Sequence, residues 1–584
     1  MVSTNNTKIT SSKSNRNIEM TRSSRSRSQS LSEGISYDVP KRGTTRRRAK
    51  SLLEEEVASH PLIPLLFRVT FPSIVGVIVG GIYSTIDSIY VGRYSSTALS
   101  AIGIAFPIEQ LLIWGVGAVF NFGASALIAK LLGSRDFENA ERVLGTVVFY
   151  WVVLAILTPI LIVPNALSIV RAFGADETLE DLAADYLSII AIGSFAYTLS
   201  ASGGNLVRAD GSMILGMNLS VAAAILNVII DPILIFGFDL GLKGAAISTV
   251  ISQTIPGVYL IYHFVKKSSI RLHWRNIIPT PQYLLKIPAL GLGPFGVLGS
   301  NAISVLVVNL VVCPLAGEGI TDETEKSTVI NMYIALFGVC MKLYMILLFV
   351  TGGFLQGFLP LQGFLLGAKE YNKSYIIKRM SQVFCVVVTL VLDCLVEIFA
   401  GPLVKSFLAK DDPDMDVDEF VEIGVPMLRV LCAGMTFYAM TVVCAGDFQA
   451  DNRLGLAMYG LLSKYIILYG LLIILSKYYD DVTVDLCWMV FPFSDIVGFL
   501  MILPVSEVRD HRMKKLIKEM GLPMKGLPFV NDGCCGYHHE RVETIELSVS
   551  SDEGIDMRND EEKAADFYAA PKVSEEMKPT QFKV

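Results

Sequence analysis

Long apolar segments dominate this 584-residue chain, and their length limits what it can fold into. A helix rises about 1.5 Å per residue, so about 20 apolar residues cross the hydrocarbon core of a bilayer. The segments that reach this length are 64–92, 98–132, 141–164, 184–207, 213–237, 243–265, 284–314, 329–366, 376–404, 421–446, 454–476 and 484–505. The sequence therefore predicts an all-α polytopic membrane protein with twelve transmembrane helices.

The composition supports the membrane class. Hydrophobic residues make up 52% of the chain, only 18% of residues are charged, and the mean hydropathy is +0.51. A soluble domain carries about 25% charged residues. The nine cysteines lie mostly singly inside apolar segments, without the spacing of a disulfide framework. A soluble protein and a disulfide-stabilised secreted scaffold are both excluded.

The loops between the apolar segments alternate in charge. If the N terminus is cytosolic, the inner loops hold basic residues such as Arg142, Lys266 and Arg379. The outer loops are acidic and read GADETLED, GEGITDETEK and KDDPDMDVDE. Because basic residues concentrate in cytosolic loops, we expect a multi-pass protein of the plasma membrane or an organelle membrane, with both termini in the cytosol.

Two passages occur twice, which predicts an internal duplication. AKLLGSRDFENA at 129–140 returns as GFLLGAKEYNKS at 363–374, and RADG at 208–211 returns as QADN at 449–452. Each copy holds six helices, so both halves enter the membrane in the same direction and are related by an axis along its normal. The predicted organisation is a disordered basic, serine-rich tail (1–60), an N-lobe (61–265), a cytosolic linker (266–283), a C-lobe (284–505) and a cytosolic tail (506–584) that becomes acidic.

Asp87 lies inside the first apolar segment, where a carboxylate is costly. Charged groups at bilayer depth usually face a protein interior or a water-filled cavity on an ion, proton or substrate pathway. Counted back from the expected outer helix ends, Asp87, Asp231 and Thr249 all fall about 8 to 12 Å below the outer surface. Lone polar groups in lipid would be unpaired, so the three side chains are expected to share one site.

Several passages together resemble the multidrug and toxic compound extrusion (MATE) family. They are YSTIDSIYVGR at 83–93, AFPIEQ at 105–110, GASALIAKLLG at 123–133, the RADG turn, and LNVIIDPILIFGFDLGLKGAAISTVISQ at 226–253. The likeness is greatest to the bacterial-type branch, which has an Asp-Pro in helix five and a basic residue in helix eight. The resemblance implies two six-helix lobes around a central cavity and cation-coupled efflux of organic compounds by alternating access.

The resemblance also implies a cation-coupling site in the N-lobe, formed by Tyr83, Asp87, Asn227, Asp231 and Thr249. A spacing of four residues puts Tyr83 with Asp87, and Asn227 with Asp231, on one helix face. Two carboxylates in a low-dielectric pocket cannot both ionise without a proton or a cation. The expected coupling ion is therefore H⁺ or Na⁺, and no other cofactor or metal is expected. The alternative is that Asp87 only anchors its helix near the interface.

A second group, Glu109, Lys342 and Asp495, falls about 17 to 20 Å into the membrane. Lys342 matches the basic position of the resembled branch, and we expect it to face a substrate cavity, neutralised by Glu109 or by Asp495. A static ion pair that fixes lobe packing is the alternative. Some family members have carboxylates in helices seven and ten, where this chain has Asn301 and Tyr438. That difference favours the N-lobe site and protons.

The predicted function is a monomeric secondary antiporter that exports organic, often cationic, compounds and has no nucleic-acid partner. The alternatives are a lipid-linked oligosaccharide flippase and a non-transporting membrane scaffold or receptor. An enzyme is not expected, because all six histidines lie at or beyond the ends of the segments. GLGPFG at 291–296 lies in an apolar segment without the strand that a nucleotide-binding loop requires. The adjacent cysteines of GCCGYHHE at 533–540 lack the spacing of a zinc site.

Overall fold

A computed structural model of the protein describes residues 52–173, 175, 177–317, 320–405, 417–478 and 484–520. Within these ranges every regular element is helical. The N-terminal half contains α1 (Leu52–Ser59), α2 (Leu62–Tyr94), α3 (Ser96–Glu109), α4 (Val116–Gly133), α5 (Phe137–Ile162), α6 (Ala166–Ala172), α7 (Glu180–Ile192), α8 (Ser194–Tyr197), α9 (Gly203–Ala209), α10 (Met213–Pro232) and α11 (Gly241–Lys266). The C-terminal half contains α12 (Pro281–Leu284), α13 (Lys286–Val307), α14 (Glu323–Gly367), α15 (Tyr371–Lys405), α16 (Val417–Cys432), α17 (Met435–Ala450), α18 (Leu454–Tyr478) and α19 (Val484–Glu519).

The predicted all-α membrane architecture is confirmed. Of the described helices, ten are long and apolar enough to cross a membrane, and a pair bent by 53°, Glu180–Ile192 with Ser194–Ala209, provides an eleventh span. The seventh predicted segment corresponds to α13, which continues through a π-helical turn to Val312. Each of the twelve predicted segments therefore falls on helices of the structure.

Polar side chains cap the N-termini of helices α3 and α5, each of which follows a short connection from the preceding helix. The Ser95 side chain accepts a hydrogen bond from the Ala98 backbone N–H at 3.3 Å, and Asp136 accepts one from the Asn139 N–H at 3.2 Å. Such caps satisfy backbone donors that have no partner inside a helix. They allow very short connections, so that α2 with α3 and α4 with α5 are direct neighbours along the chain.

The two repeated passages fold into matching turns. Arg135 and Lys369 each follow the LLG of their copy and have φ values of 57° and 59°. Gly211 and Asn452 close the RADG and QADN turns with φ values of 98° and 63°. Non-glycine residues rarely adopt a positive φ, so its occurrence at corresponding places in both copies supports the internal duplication. We call the helices α2–α11 the N-lobe and α13–α19 the C-lobe.

The two lobes touch backbone to backbone at the end of the bundle that carries these turns. A Cβ added to Gly133 would lie 2.1 Å from the Phe364 carbonyl oxygen, and one added to Gly367 would lie 2.0 Å from the Lys130 carbonyl oxygen. Gly133 and Gly367 occupy corresponding places in the two repeats. Only glycine permits this approach, and we call the contact the glycine seam. Beside it, the Lys130 ammonium lies 3.5 Å from Asp451 of the other lobe.

The described helices extend beyond the predicted spans at both ends. The helix α1 lies within the predicted N-terminal tail and buries Leu53 completely. The helix α19 continues past the predicted boundary at residue 505, because Lys378 binds Asp510 at 2.5 Å and Arg509 pairs with Asp447. The remaining tail residues, including the GCCGYHHE sequence, lie outside the described residues.

Candidate functional site

Helices α10 and α11 bring three of the predicted site residues together. The fully buried Asn227 donates from its Nδ2 to Asp231 Oδ1 at 3.2 Å. The same nitrogen lies 3.3 Å from Ser248 Oγ and 3.5 Å from Thr249 Oγ1. The amide thus holds the Asp231 carboxylate in place from one turn earlier on the same helix. The i,i+4 spacing in the sequence predicted this geometry.

Helix α2 adds the second carboxylate to the site. Asp87 is buried, and its carboxyl is a close neighbour of the Asp231 carboxyl. Asp87 Oδ1 and Asp231 Oδ2 are buried oxygens for which the described part of the chain offers no hydrogen-bond partner. Among the described residues, no Lys, Arg or His forms a salt bridge with either carboxyl. A proton or a bound cation would relieve the cost of burying two neighbouring carboxylates.

A small, partly aromatic pocket of about 10 Å³, room for about one water molecule in this conformation, is lined by Tyr83 and Thr249 of the predicted site. Its lining includes Tyr83, Glu109, Trp114, Ile190, Gly193, Tyr197, Thr249, Val250 and Gln253. The Gln253 side chain donates to the Tyr83 hydroxyl at 3.0 Å. The Trp114 and Tyr197 rings are stacked, with centroids 5.3 Å apart and an interplanar angle of 4°. Four of the lining side chains present aromatic or carboxylate groups, a combination suited to organic cations.

Glu109 is the acidic group of this cavity. Its Oε1 accepts a hydrogen bond from Trp114 Nε1 at 3.0 Å, and its Oε2 accepts one from the Tyr186 hydroxyl at 3.3 Å. Glu109 is buried, and no salt bridge to it occurs among the described residues. The structure thus groups Glu109 with Tyr83 and Thr249, whereas the sequence predicted a separate deeper layer.

Irregular helix geometry marks the positions of these residues. A π-helical turn, Gln110–Gly115, directly follows Glu109, and another, Thr198–Ser202, directly follows Tyr197. A third, Ile233–Gly237, begins two residues after Asp231. Single π-helical turns in helices are frequent at functional sites. The positions of these three π-helical turns favour a functional role for the neighbouring residues over a role in packing alone.

The predicted pairing of Lys342 with Glu109 or Asp495 is not found in this conformation. Lys342 is exposed, and it forms no salt bridge within the described part of the chain. Asp495 instead pairs with Lys464, with Nζ and Oδ1 2.8 Å apart. Depth along a helix does not fix which side of the helix a residue occupies, so residues of equal depth can point in different directions.

Sequence reasoning missed several residues that the structure brings into these sites. Lys464 lies in the middle of the apolar segment 454–476, so the argument that singled out Asp87 also applies to it. Gln253 follows Thr249 by four residues and could have been found by helical spacing. Trp114 and Tyr197 carry no comparable sequence signal, because aromatic residues in apolar helices are usually packing residues.

Comparisons with known proteins agree with this architecture. The MatE family profile matches residues 72–233 and 331–474, together more than half of the chain. The multidrug export protein MepA of Staphylococcus aureus (strain N315) is 24% identical over 396 residues, which cover 67% of this chain and 82% of MepA. MepA of Staphylococcus saprophyticus is 25% identical over 391 residues, covering 66% of this chain and 81% of its own.

Solved structures show the same fold. A MOP superfamily transporter from Pyrococcus furiosus superposes with a TM-score of 0.71 at 20% identity, over 80% of this chain and 99% of its own. A multidrug resistance MATE family transporter in an outward-facing conformation superposes with a TM-score of 0.70 at 20% identity. The superposition covers 81% of this chain and 100% of that transporter. The chain therefore belongs to the multidrug and toxic compound extrusion (MATE) family of membrane transporters.

Proposed function

We propose that this protein is a secondary antiporter that exports organic, often cationic, compounds in exchange for protons by alternating access between its two lobes. The observation that carries the proposal is the buried pair Asp87 and Asp231, which faces no basic side chain among the described residues. Two adjacent buried carboxylates repel each other and gain from a shared proton or a bound cation. The site therefore has a physical reason to take up the coupling ion.

Uptake of that ion changes the charge balance between α2 and α10. With both carboxyls ionised, repulsion between Asp87 and Asp231 favours separation of the two helices. With a proton between them, the carboxyls attract each other through a hydrogen bond. Helix α2 contains Pro72, at which it can bend, and it also contacts α14 of the other lobe. A displacement of α2 at Asp87 would therefore change the contact between the lobes. This link couples ion binding to the change of access.

The substrate cavity we propose is the one that Glu109 and the Trp114–Tyr197 stack line. An organic cation would bind Glu109 by charge and the stacked rings by their π faces. Because Tyr83 and Thr249 line this pocket and also belong to the coupling site, a positively charged substrate and a proton would be attracted to the same group of carboxylates. Competition of this kind is what antiport requires. A lipid-linked oligosaccharide flippase is disfavoured, because a pyrophosphate headgroup needs a basic cavity and this one is acidic.

The proposal includes the predicted topology and assembly. Both termini would lie in the cytosol, which puts the glycine seam at the cytosolic end and Asp87 nearer the outer surface. The transport path lies within one chain, so a monomer suffices. Sodium is the alternative coupling ion, since carboxylate, hydroxyl and amide oxygens also bind that cation.

The test is transport of a fluorescent organic cation, such as ethidium, in vesicles reconstituted with the purified protein. A pH gradient and a sodium gradient are imposed separately. We expect the pH gradient alone to drive ethidium movement and Asp87→Asn to abolish that coupling. Asp185→Asn is the matched control, because Asp185 is an exposed carboxylate paired with Lys243. Transport driven by neither gradient would contradict the antiporter, and transport driven by sodium alone would replace the proton.

A further inference from the structure

The C-lobe contains a buried lysine surrounded by tyrosine rings. The Lys464 ammonium lies 4.6 Å from the ring centroid of Tyr438, 5.5 Å from that of Tyr344 and 5.6 Å from that of Tyr465. It donates a hydrogen bond to the Tyr344 hydroxyl at 3.0 Å and lies 2.8 Å from Asp495 Oδ1. All five side chains are buried. We call them the tyrosine box.

The walls of the tyrosine box have the chemistry of a receptor for organic ammonium ions. Aromatic faces attract a cation through the ring quadrupole, and cages of such rings recognise quaternary ammonium groups. One buried carboxylate supplies the counter-charge. In this structure the occupant is the chain's own ammonium group, at the end of a flexible four-carbon stem.

A second buried lysine of the C-lobe has a different set of partners. Lys378 binds Asp510 at 2.5 Å, Asp447 at 3.3 Å and Ser506 Oγ at 2.8 Å. Its ammonium thus has two carboxylates and a hydroxyl as partners. Lys464 has one carboxylate, the Tyr344 hydroxyl and the rings of Tyr438 and Tyr465. Ring faces are a poor substitute for carboxylates if the purpose is only to neutralise a buried lysine.

The carboxylate of the box has few partners. Lys464 Nζ lies 2.8 Å from Asp495 Oδ1, but both carboxylate oxygens are buried and neither has a hydrogen-bond partner of regular geometry within the described residues. A Cβ added to Gly434 would lie 2.6 Å from Asp495 Oδ2. Gly434 belongs to the break between α16 and α17, and Tyr438 stands one turn after it. Asp495 Oδ2 and the Tyr438 ring thus lie next to the break between α16 and α17. Backbone at a helix break can shift more easily than backbone inside a helix.

We propose that the tyrosine box is a second binding site for organic ammonium ions, in which Lys464 acts as an internal competitor that the ligand displaces. The inference rests on the proposed export of organic cations and adds a C-lobe site to it. A tethered group competes at an effective concentration in the millimolar range or above. The resident ammonium therefore keeps the box closed until a ligand with favourable contacts replaces it.

Equilibrium binding of radiolabelled tetraethylammonium to the full-length protein in detergent tests this inference. This probe keeps its charge at every pH. We expect Lys464→Ala to bind it at least about tenfold more tightly than the wild type, because the competitor is removed. In the Lys464→Ala background, Tyr438→Leu should abolish the gain, whereas Tyr438→Phe, which keeps the ring, should preserve it. Ser463→Ala, a buried neighbour on the same helix, is the control and should bind like the wild type.

Two additional measurements keep the test decisive if Lys464→Ala is unstable. Propylammonium replaces the fragment that this substitution removes, so it should raise the melting temperature of Lys464→Ala, while propanol should not. In the otherwise unchanged protein, Tyr438→Leu should weaken tetraethylammonium binding and Tyr438→Phe should not. Equal affinity of the wild type and Lys464→Ala, or a gain that survives Tyr438→Leu, would overturn the proposal. Because these readouts are binding equilibria, a failure of gradient-driven transport would refute the antiporter without changing them.

Discussion

The two lobes bury negative charge in opposite ways. In the N-lobe, Asp87, Asp231 and Glu109 are buried with no basic side chain bonded to them among the described residues. In the C-lobe, Asp495 lies 2.8 Å from the ammonium of Lys464. A buried carboxylate requires a counter-charge or a proton. Because Asp495 has a cation from its own chain, we expect the N-lobe carboxylates to respond more strongly than Asp495 to the supply of protons or metal cations.

The difference between the lobes is tested most strongly by the effects of Asp495→Asn and Asp87→Asn on the free energy of unfolding. Asp495→Asn should lower the free energy of unfolding by about 3 to 5 kcal/mol, because it leaves the Lys464 ammonium buried without its counter-ion. Asp87→Asn should be neutral or stabilising, because it removes a repulsion. Melting curves of the purified proteins measure both changes. Equal destabilisation by the two substitutions would show that the lobes do not differ in this way.

A basic residue introduced into the N-lobe should make it behave like the C-lobe. Thr249→Lys places an ammonium beside Asn227 and Asp231, where Thr249 Oγ1 now lies 3.5 Å from the Asn227 amide. We expect a folded protein whose ethidium transport no longer responds to a pH gradient, a loss of about 100-fold in the coupled rate. Thr249→Val is the control and should retain coupling. Coupling that persists with the lysine in place would argue against this site.

The cavity carboxylate should distinguish charged from neutral substrates. Glu109→Gln retains the hydrogen-bonding shape beside Trp114 and Tyr186 but removes the charge. We expect about a tenfold weaker affinity for ethidium, which corresponds to about 1.4 kcal/mol, and little change for an uncharged dye of similar size. Competition binding measures both affinities. An equal loss for both dyes would assign Glu109 to packing.

The last prediction concerns the wall of the tyrosine box. Gly434→Ala would place a methyl group 2.6 Å from Asp495 Oδ2 and force the carboxylate to shift. We expect a destabilisation of about 1 to 3 kcal/mol, typical of overpacking in a core. Gly455→Ala is the control, because a Cβ there meets no atom within 4 Å. Similar melting temperatures for the two variants would mean that the carboxylate does not depend on Gly434.

Much of the N-lobe site could be predicted because its geometry is local. Asn227 and Asp231 are one turn apart on a single helix, and Thr249 lies at a comparable distance from the start of the next helix. Both relations follow from helical rise and spacing. The bond from Asn227 to Asp231 at 3.2 Å is therefore a direct consequence of sequence order.

The C-lobe could not be predicted in the same way. Glu109, Lys342 and Asp495 were grouped by depth, which fixes a position along the helix axis but not the rotation of each helix. Rotation is set by packing against neighbours, and here it exposes Lys342 and turns Asp495 towards Lys464. The tyrosines that enclose Lys464 come from α14, α17 and α18, so no local pattern reveals the box.

The glycine seam has a consequence for energetics. The contacts of Gly133 with the Phe364 backbone and of Gly367 with the Lys130 backbone involve van der Waals surfaces rather than titrating groups. Its strength therefore varies little with pH or salt, while the electrostatics at Asp87 and Asp231 respond to both. If the lobes part as proposed, we expect the seam to contribute a constant free-energy cost and the coupling ion to contribute a cost that varies with pH. A methyl group added at either glycine would lower that constant cost equally at every pH, so the midpoint of the pH response would move while its steepness stayed the same.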